Sequence, residues 1–67
     1  MNIIFELRNK ETNEIKLLSI NNENELESNA LFITSEFSYT TYGYDLKHFP
    51  VGEIYMENDE YTIKRTK

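Results

Sequence analysis

The sequence predicts a mainly β fold: a small single-domain antiparallel sheet of about five strands, in which two hairpins flank one long strand and curl toward a partly open barrel. Three stretches carry this prediction. Residues 53–64 and residues 2–20 each have the pattern of a hairpin, and residues 30–41 are rich in β-branched and aromatic side chains. The alternative is an α+β fold with one short helix near residues 22–29. In both cases residues 1–67 are expected to form one domain.

The N-terminal hairpin is predicted from strict alternation. Ile3, Phe5 and Leu7 share one face of a first strand, and a polar loop over residues 9–13 leads to a second strand over residues 14–20. With a five-residue loop, the inner face pairs Phe5 with Leu17 and Leu7 with Ile15. This register leaves an apolar patch on the outer face that needs a cover from the chain or a partner, formed by Ile4, Leu18 and Ile20.

The middle of the chain is predicted to change from a polar loop to a strand. Asn22 and Glu25 have the spacing of a capping box, and Leu26 and Ala30 have helical spacing, but the many Asn and Ser residues limit a helix here to one or two turns. Residues 30–41 are then expected to form the long strand, which bends to serve two faces.

A short turn is predicted between the long strand and the last hairpin. Gly43 can take positive φ there, and Asp45 is expected to cap a single helical turn that runs through His48. Pro50 forces the residue before it into extended geometry and ends the turn.

The C-terminal hairpin is the clearest element. Asn58 and Asp59 tolerate positive φ, so they are expected to form its two-residue turn. That turn places apolar pairs on one face, namely Met56 with Tyr61 and Ile54 with Ile63. The other face is polar, with Tyr55 opposite Thr62 and Glu53 opposite Lys64.

The charge distribution limits the kinds of partner. Twelve acidic residues against seven basic ones give a net charge of −5, and three of the seven basic residues lie within the last four positions. An acidic body of this kind repels nucleic acid and anionic membrane and attracts basic surfaces. No apolar run approaches the roughly 18 residues that a membrane span requires. We therefore expect a cytoplasmic protein that binds neither nucleic acid nor membrane directly.

Catalysis and cofactor binding are not expected. The chain has no cysteine and one histidine, His48, without a recognisable nucleophile motif. Glu23, Glu25 and Glu27 alternate and could align on a cation, but they lack the spacing and glycine of a calcium loop, so a solvated acidic loop is the simpler interpretation. No metal, cofactor or catalytic residue is therefore predicted.

Five tyrosines and four phenylalanines stand out in so short a chain. Phe5, Phe32, Phe37 and Tyr61 are expected in the core. Tyrosine is also favoured at interfaces, because it buries area and keeps a polar tip. Tyrosines beside carboxylates can occupy a basic groove, and carboxylates spaced along strands can imitate phosphates. The predicted partner-binding residues are Glu53, Tyr55, Glu57, Asp59 and Glu60, with Tyr42 and Tyr44 as neighbours.

The functional hypothesis is therefore a small acidic protein-binding module, an inhibitor from a phage or mobile element that blocks a basic nucleic-acid-binding site on a host protein. The alternative is a structural or assembly subunit that associates, as a homodimer or within a larger complex, through the apolar patch of Ile4, Leu18 and Ile20.

Overall fold

Two helices pack on one face of a four-stranded antiparallel sheet in the computed structural model, which describes residues 1–67. The strand order is β2-β1-β4-β3, so β2 and β3 are the edges. In chain order the elements are β1 (Ile3–Asn9), β2 (Ile15–Ile20), α1 (Glu23–Phe37), α2 (Gly43–His48), β3 (Ile54–Glu57) and β4 (Tyr61–Arg65). The predicted small antiparallel sheet is confirmed, and the α+β alternative gives the class. The sheet has four strands and stays open, where about five strands curling toward a partly open barrel were predicted.

The largest difference is the long strand predicted over residues 30–41, where the structure has the second half of α1. Leu26, Ala30 and Ile33 recur at helical spacing and are all buried, whereas Leu31 is 66% exposed. The helical period therefore buries the apolar side chains that the strand pattern would have split between two faces. The alternative of a helix near 22–29 was correct in kind, but the helix continues to Phe37.

Both ends of α1 are capped. The Asn22 side chain accepts a hydrogen bond of 2.9 Å from the Glu25 N–H, as the capping spacing predicted, and the Glu25 carboxylate accepts one from the Asn21 N–H. The helix ends at Phe37, and its C-cap residue Ser38 adopts the left-handed conformation at φ 51°.

The predicted register of the N-terminal hairpin is wrong by one residue. Phe5 lies opposite Leu18, not Leu17, because the Asn9 N–H bonds to the Glu14 carbonyl and closes a loop of four residues, 10–13. A shift of one residue moves every side chain of β2 to the other face. Leu18 and Ile20 are consequently buried, and the predicted patch of Ile4, Leu18 and Ile20 does not exist.

The C-terminal hairpin is present with a different turn. The Asn58 side chain accepts hydrogen bonds from the backbone N–H groups of Glu60 and Tyr61, which makes Asp59 and Glu60 the turn residues. Met56 therefore faces Ile63, not Tyr61.

An irregularity between Ile54 and Met56 shifts the register again, so that Ile54 lies opposite Lys64 and is exposed, where a buried pairing with Ile63 was predicted. Tyr55, predicted on the polar face, points its ring toward Phe5 and Phe49.

The core lies between the helices and one sheet face. Eleven apolar side chains from both layers form it, and several half-buried aromatic rings, Phe32, Phe37, Phe49, Tyr55 and Tyr61, pack around its margin. Of the four aromatic residues expected in the core, Phe5 is fully buried. The other three, Phe32, Phe37 and Tyr61, are half-buried at its margin.

The two helices approach each other closely at Gly43. A Cβ atom there would lie 2.7 Å from Glu27 Oε1 and 3.2 Å from Leu26 Cγ. Gly43 was predicted to provide positive φ in a turn, but it is the first residue of α2 and its missing side chain provides space. Asp45 was predicted to cap this helix, but the N-cap residue is Tyr42, and Asp45 is the third residue of α2, where its Oδ2 accepts a hydrogen bond of 3.3 Å from the Tyr42 N–H.

Candidate partner-binding surface

The seven residues predicted to bind a partner fall into three places. Glu57, Asp59 and Glu60 are exposed at the β3–β4 turn, and are named the acidic turn below. Glu53 is exposed at the opposite end of β3, where its carbonyl accepts a hydrogen bond from the Arg65 N–H. Tyr42 and Tyr44 lie at the start of α2, and Tyr55 is a residue of β3 whose ring contacts Phe49 at the end of that helix. No single contact surface joins all seven.

The acidic turn is partly neutralised by the neighbouring loop. Lys10 Nζ lies 2.7 Å from Glu57 Oε2, and the Lys10 N–H bonds to the Glu60 carbonyl. The hydrogen bond and the charge of Lys10 lower the pKa of Glu57, so this carboxylate stays ionised into more acidic solution. A partner must compete with Lys10 for Glu57, whereas Asp59 and Glu60 have no ion-pair partner.

Tyr55 is half-buried, and its ring packs against other aromatic side chains instead of projecting into solvent. Its ring meets Tyr39 and Phe49 edge to face, at centroid distances of 5.6 Å and 5.1 Å, and its hydroxyl donates a hydrogen bond to Thr41. Burial, and secondarily the nearby Asp45 carboxylate, raise the pKa of Tyr55.

Tyr42 and Tyr44 are the most exposed aromatic side chains, at 66% and 73%. Thr34 anchors the segment that leads to them, because its hydroxyl accepts a hydrogen bond of 2.9 Å from the Thr41 N–H and donates one to the Ala30 carbonyl. The tyrosines are therefore held on an ordered segment although their rings face solvent.

Leu31 adds an exposed aliphatic side chain beside them. Thr34 of α1 bonds to Thr41, and Glu27 of α1 lies against Gly43, so the α1 face that carries positions 27, 31 and 34 runs alongside residues 41–43. We name the exposed group Leu31, Tyr39, Tyr42 and Tyr44 the tyrosine surface. Sequence reasoning missed Leu31 and Tyr39 as site residues because it placed both in a strand.

Carboxylates border the tyrosine surface. Asp45 and Glu27 are exposed beside it, and Glu23 lies nearby in an ion pair with Lys47 at 3.1 Å. The surface is therefore aromatic at its centre and acidic at its margin.

A cleft of about 380 Å³ lies between α2 and β3 and continues from the tyrosine surface. We name it the aromatic cleft. Four aromatic rings, one carboxylate and one imidazole dominate its lining: Tyr39, Tyr44, Phe49, Tyr55, Asp45 and His48. The Tyr44 and His48 rings lie 4.4 Å apart, centroid to centroid, and no lysine or arginine lines the cleft.

A second cleft, of about 460 Å³, opens at the end of the sheet near the acidic turn. Lys16 lies over the Phe32 ring at 5.3 Å in this cleft, and Glu36 and Glu60 also line it. Because both signs of charge are present, the lining favours neither an anion nor a cation.

The acidic residues considered for a cation are on the first two turns of α1. Glu23 and Glu27 lie one turn apart on the face of α1 that meets α2, whereas Glu25 points away from that face and is engaged at the helix N-terminus. No group of three His, Cys, Asp or Glu side chains is placed to hold a metal ion. Neither helix has the length and apolar character needed to cross a bilayer.

The chain matches no protein-family model, and no curated protein or solved structure is significantly similar to it.

Proposed function

We propose that this chain is a small acidic protein-binding module that occupies a basic, nucleic-acid-binding surface of a protein partner, as an inhibitor encoded by a phage or mobile element. The observation that carries the proposal is the tyrosine surface: three exposed tyrosines and an exposed leucine grouped on a domain of net charge −5.

The composition of the tyrosine surface supports protein binding over other roles. Exposed apolar side chains that occur singly are ordinary, but a group that combines Leu31 with Tyr42 and Tyr44 has the character of an interface centre. Tyrosine buries a large area for the loss of few rotatable bonds, so such a surface binds without a large entropic cost.

The charges support a partner with a basic surface. Glu27 and Asp45 border the tyrosines, and the acidic turn adds Asp59 and Glu60 at a distance. Negative charge over the body raises the association rate with a positive surface and disfavours nucleic acid itself. Basic grooves that hold nucleic acid combine positive charge with stacking platforms, which suits this combination of carboxylates and aromatic rings.

The decisive experiment is a competitive pull-down from lysate of a low-GC bacterium, whose coding bias resembles the Asn-, Ile-, Lys- and Glu-rich composition of this chain. The bait is the wild type, the double variant Tyr42→Ser with Tyr44→Ser, or the control Leu17→Ser on the opposite sheet face. We expect a nucleic-acid-handling protein that the wild type and the control retain, the double variant loses, and added oligonucleotide displaces. A partner that oligonucleotide does not displace, or that the double variant retains, would contradict the proposal.

A second candidate function is assembly through the sheet face that the helices leave open. Ile15, Leu17 and Ile54 are each more than half exposed, and Ile4 is half-buried on the same face. These residues take the place of the predicted patch of Ile4, Leu18 and Ile20. If assembly is the function, the wild type is a dimer at micromolar concentration in sedimentation, Leu17→Lys makes it monomeric, and Leu31→Lys does not. A monomeric wild type excludes self-assembly through this face.

A further inference from the structure

We propose that the aromatic cleft is a receptor for one cationic side chain, a lysine or an arginine, presented by the partner protein. The inference deepens the proposed function and rests on it, because it names the group of the basic surface that is recognised most directly.

The walls of the cleft suit an organic cation. Tyr55 stands at 90° to both Tyr39 and Phe49, so the cleft presents ring faces and ring edges from adjoining walls. The face of an aromatic ring carries a negative electrostatic potential and attracts ammonium and guanidinium groups within about 6 Å of its centroid. Tyr44, 73% exposed, forms a further wall, and its ring is tilted against the His48 ring at a centroid distance of 4.4 Å.

The charges of the cleft point to the same ligand. Asp45 is its one carboxylate, and one oxygen of that group, Oδ2, accepts the Tyr42 N–H, which leaves Oδ1 without a protein donor. Asp45 and Tyr55 line the same cleft, where burial first, and the Asp45 charge after it, raises the pKa of Tyr55. Because no lysine or arginine of the chain lines the cleft, the carboxylate is not neutralised from within.

The volume of the aromatic cleft and the contacts of the residues behind it both suit a single bound side chain. A volume of about 380 Å³ is at the small end of ligand sites. The Arg65 guanidinium is engaged by the backbone, since its Nη1 donates to the carbonyls of Phe49 and Lys47. The backbone at Phe49, which lines the cleft, is therefore tied to β4, and no basic side chain of the chain fills the cleft.

The test is an NMR titration of the intact protein with N-acetyl-arginine amide and N-acetyl-lysine amide as separate probes. The neutral isostere N-acetyl-citrulline amide is the control ligand. We expect saturable shifts of the Tyr39, Tyr44 and Tyr55 ring resonances with both cations, weakened by salt and absent with citrulline. Asp45→Asn and Tyr44→Ala should each weaken binding about five-fold, while Glu11→Gln, which removes one negative charge from the β1–β2 loop outside the cleft, should not.

Equal shifts with citrulline, or no shift of these rings at high probe concentration, would overturn the inference. Asp45→Asn keeps an oxygen that can accept the hydrogen bond from the Tyr42 N–H, so the variant should give the amide spectrum of a folded protein. Its loss of cation binding is then attributable to the lost charge. A partner that depends on Tyr42 and Tyr44 while the free cations leave the cleft unchanged would refute this inference alone. Cation binding in the cleft without any basic protein partner would refute the proposed function alone.

Discussion

The phenol of Tyr55 donates a hydrogen bond of 3.1 Å to the hydroxyl of Thr41. The Thr41 hydroxyl in turn donates to the Tyr39 carbonyl, and the Thr41 N–H donates to the Thr34 hydroxyl. This chain of hydrogen bonds ties edge strand β3 to α1 through the segment that carries the exposed tyrosines. The order of the tyrosine surface therefore depends on the hydroxyl of buried Thr41 and on the half-buried hydroxyl groups of Thr34 and Tyr55.

The first prediction concerns alkaline stability. Burial, followed by the Asp45 charge, raises the pKa of Tyr55 above 10.0, so the folded chain keeps a proton that the unfolded chain loses first. The stability that this phenol contributes is full below about pH 10, the pKa of tyrosine in an unfolded chain, and is lost as pH rises through the folded-state pKa. Tyr55→Phe should lower the unfolding free energy at neutral pH by about 1 kcal/mol and flatten its decline above pH 10.

Urea unfolding between pH 7 and pH 11 measures this effect. Tyr44→Phe is the matched control, because Tyr44 is exposed, and its profile should follow the wild type. A decline of the same steepness in Tyr55→Phe and wild type would show that Tyr55 is not its source.

The second prediction tests the register of the first hairpin. Leu18→Lys should abolish folding or cost several kcal/mol, of the order of the 2–5 kcal/mol lost on emptying a buried leucine site plus the cost of burying an ammonium group. Leu17→Lys should leave the fold intact, since Leu17 is 57% exposed whereas Leu18 is 6% exposed. Thermal unfolding followed by circular dichroism measures both variants. The opposite ranking would restore the pairing of Phe5 with Leu17.

The third prediction concerns the Thr34 anchor. Thr34→Val keeps the shape of the side chain but removes the acceptor for the Thr41 N–H, which is buried with its residue. We expect a loss of about 1–3 kcal/mol, the usual cost of leaving a buried polar group unpaired. Ser35→Ala, one residue later on the exposed side of α1, should cost nothing. Denaturant titration compares the two, and equal stabilities would mean that the anchor is replaceable by water.

The fourth prediction concerns Arg65, whose guanidinium bonds to the carbonyls of Phe49 at 2.6 Å and Lys47 at 3.2 Å. These bonds join the end of α2 to β4. Arg65→Gln should lower stability by about 1.5–3 kcal/mol, because hydrogen bonds to a charged group are lost from a half-buried site. Lys64→Gln removes the same charge from the neighbouring exposed residue and should change stability little. Hydrogen exchange of α2 amides should accelerate in Arg65→Gln only; unchanged exchange would refute the link.

The fifth prediction concerns the acidic turn. Reversing Glu57 and Glu60 to lysine should leave the fold intact, because both side chains are exposed. The association rate with a basic partner should fall about ten-fold at low salt, through loss of long-range attraction. Surface plasmon resonance at low and high salt measures this, and the difference from wild type should vanish at high salt. An unchanged rate at low salt would exclude the turn from partner binding.

Part of the candidate site was predictable from local chemistry. The sequence predicts Tyr42 and Tyr44 as site residues because it places them in a turn before a short helix. The turn and the helix are specified by neighbouring residues such as Gly43 and Asp45. Leu31 and Tyr39 were not identified, because their exposure depends on which face of a fifteen-residue helix meets the sheet. The sequence places Tyr55 on the polar face of the hairpin. The register shift beside Ile54 cannot be recognised from the alternation of side chains in a strand of four residues.

The sequence by itself determined the two hairpins, the cap at Asn22 and the short helix around Asp45, because each depends on residues within a few positions of one another. Only the tertiary structure decided between strand and helix over residues 30–37, since apolar residues there fit both periods. Burial of Ala30 and Ile33 against the sheet selected the helix. The register of β2 was decided in the same way. One residue of loop length is a small local difference, but it chooses whether Leu17 or Leu18 enters the core, and the core requires Leu18.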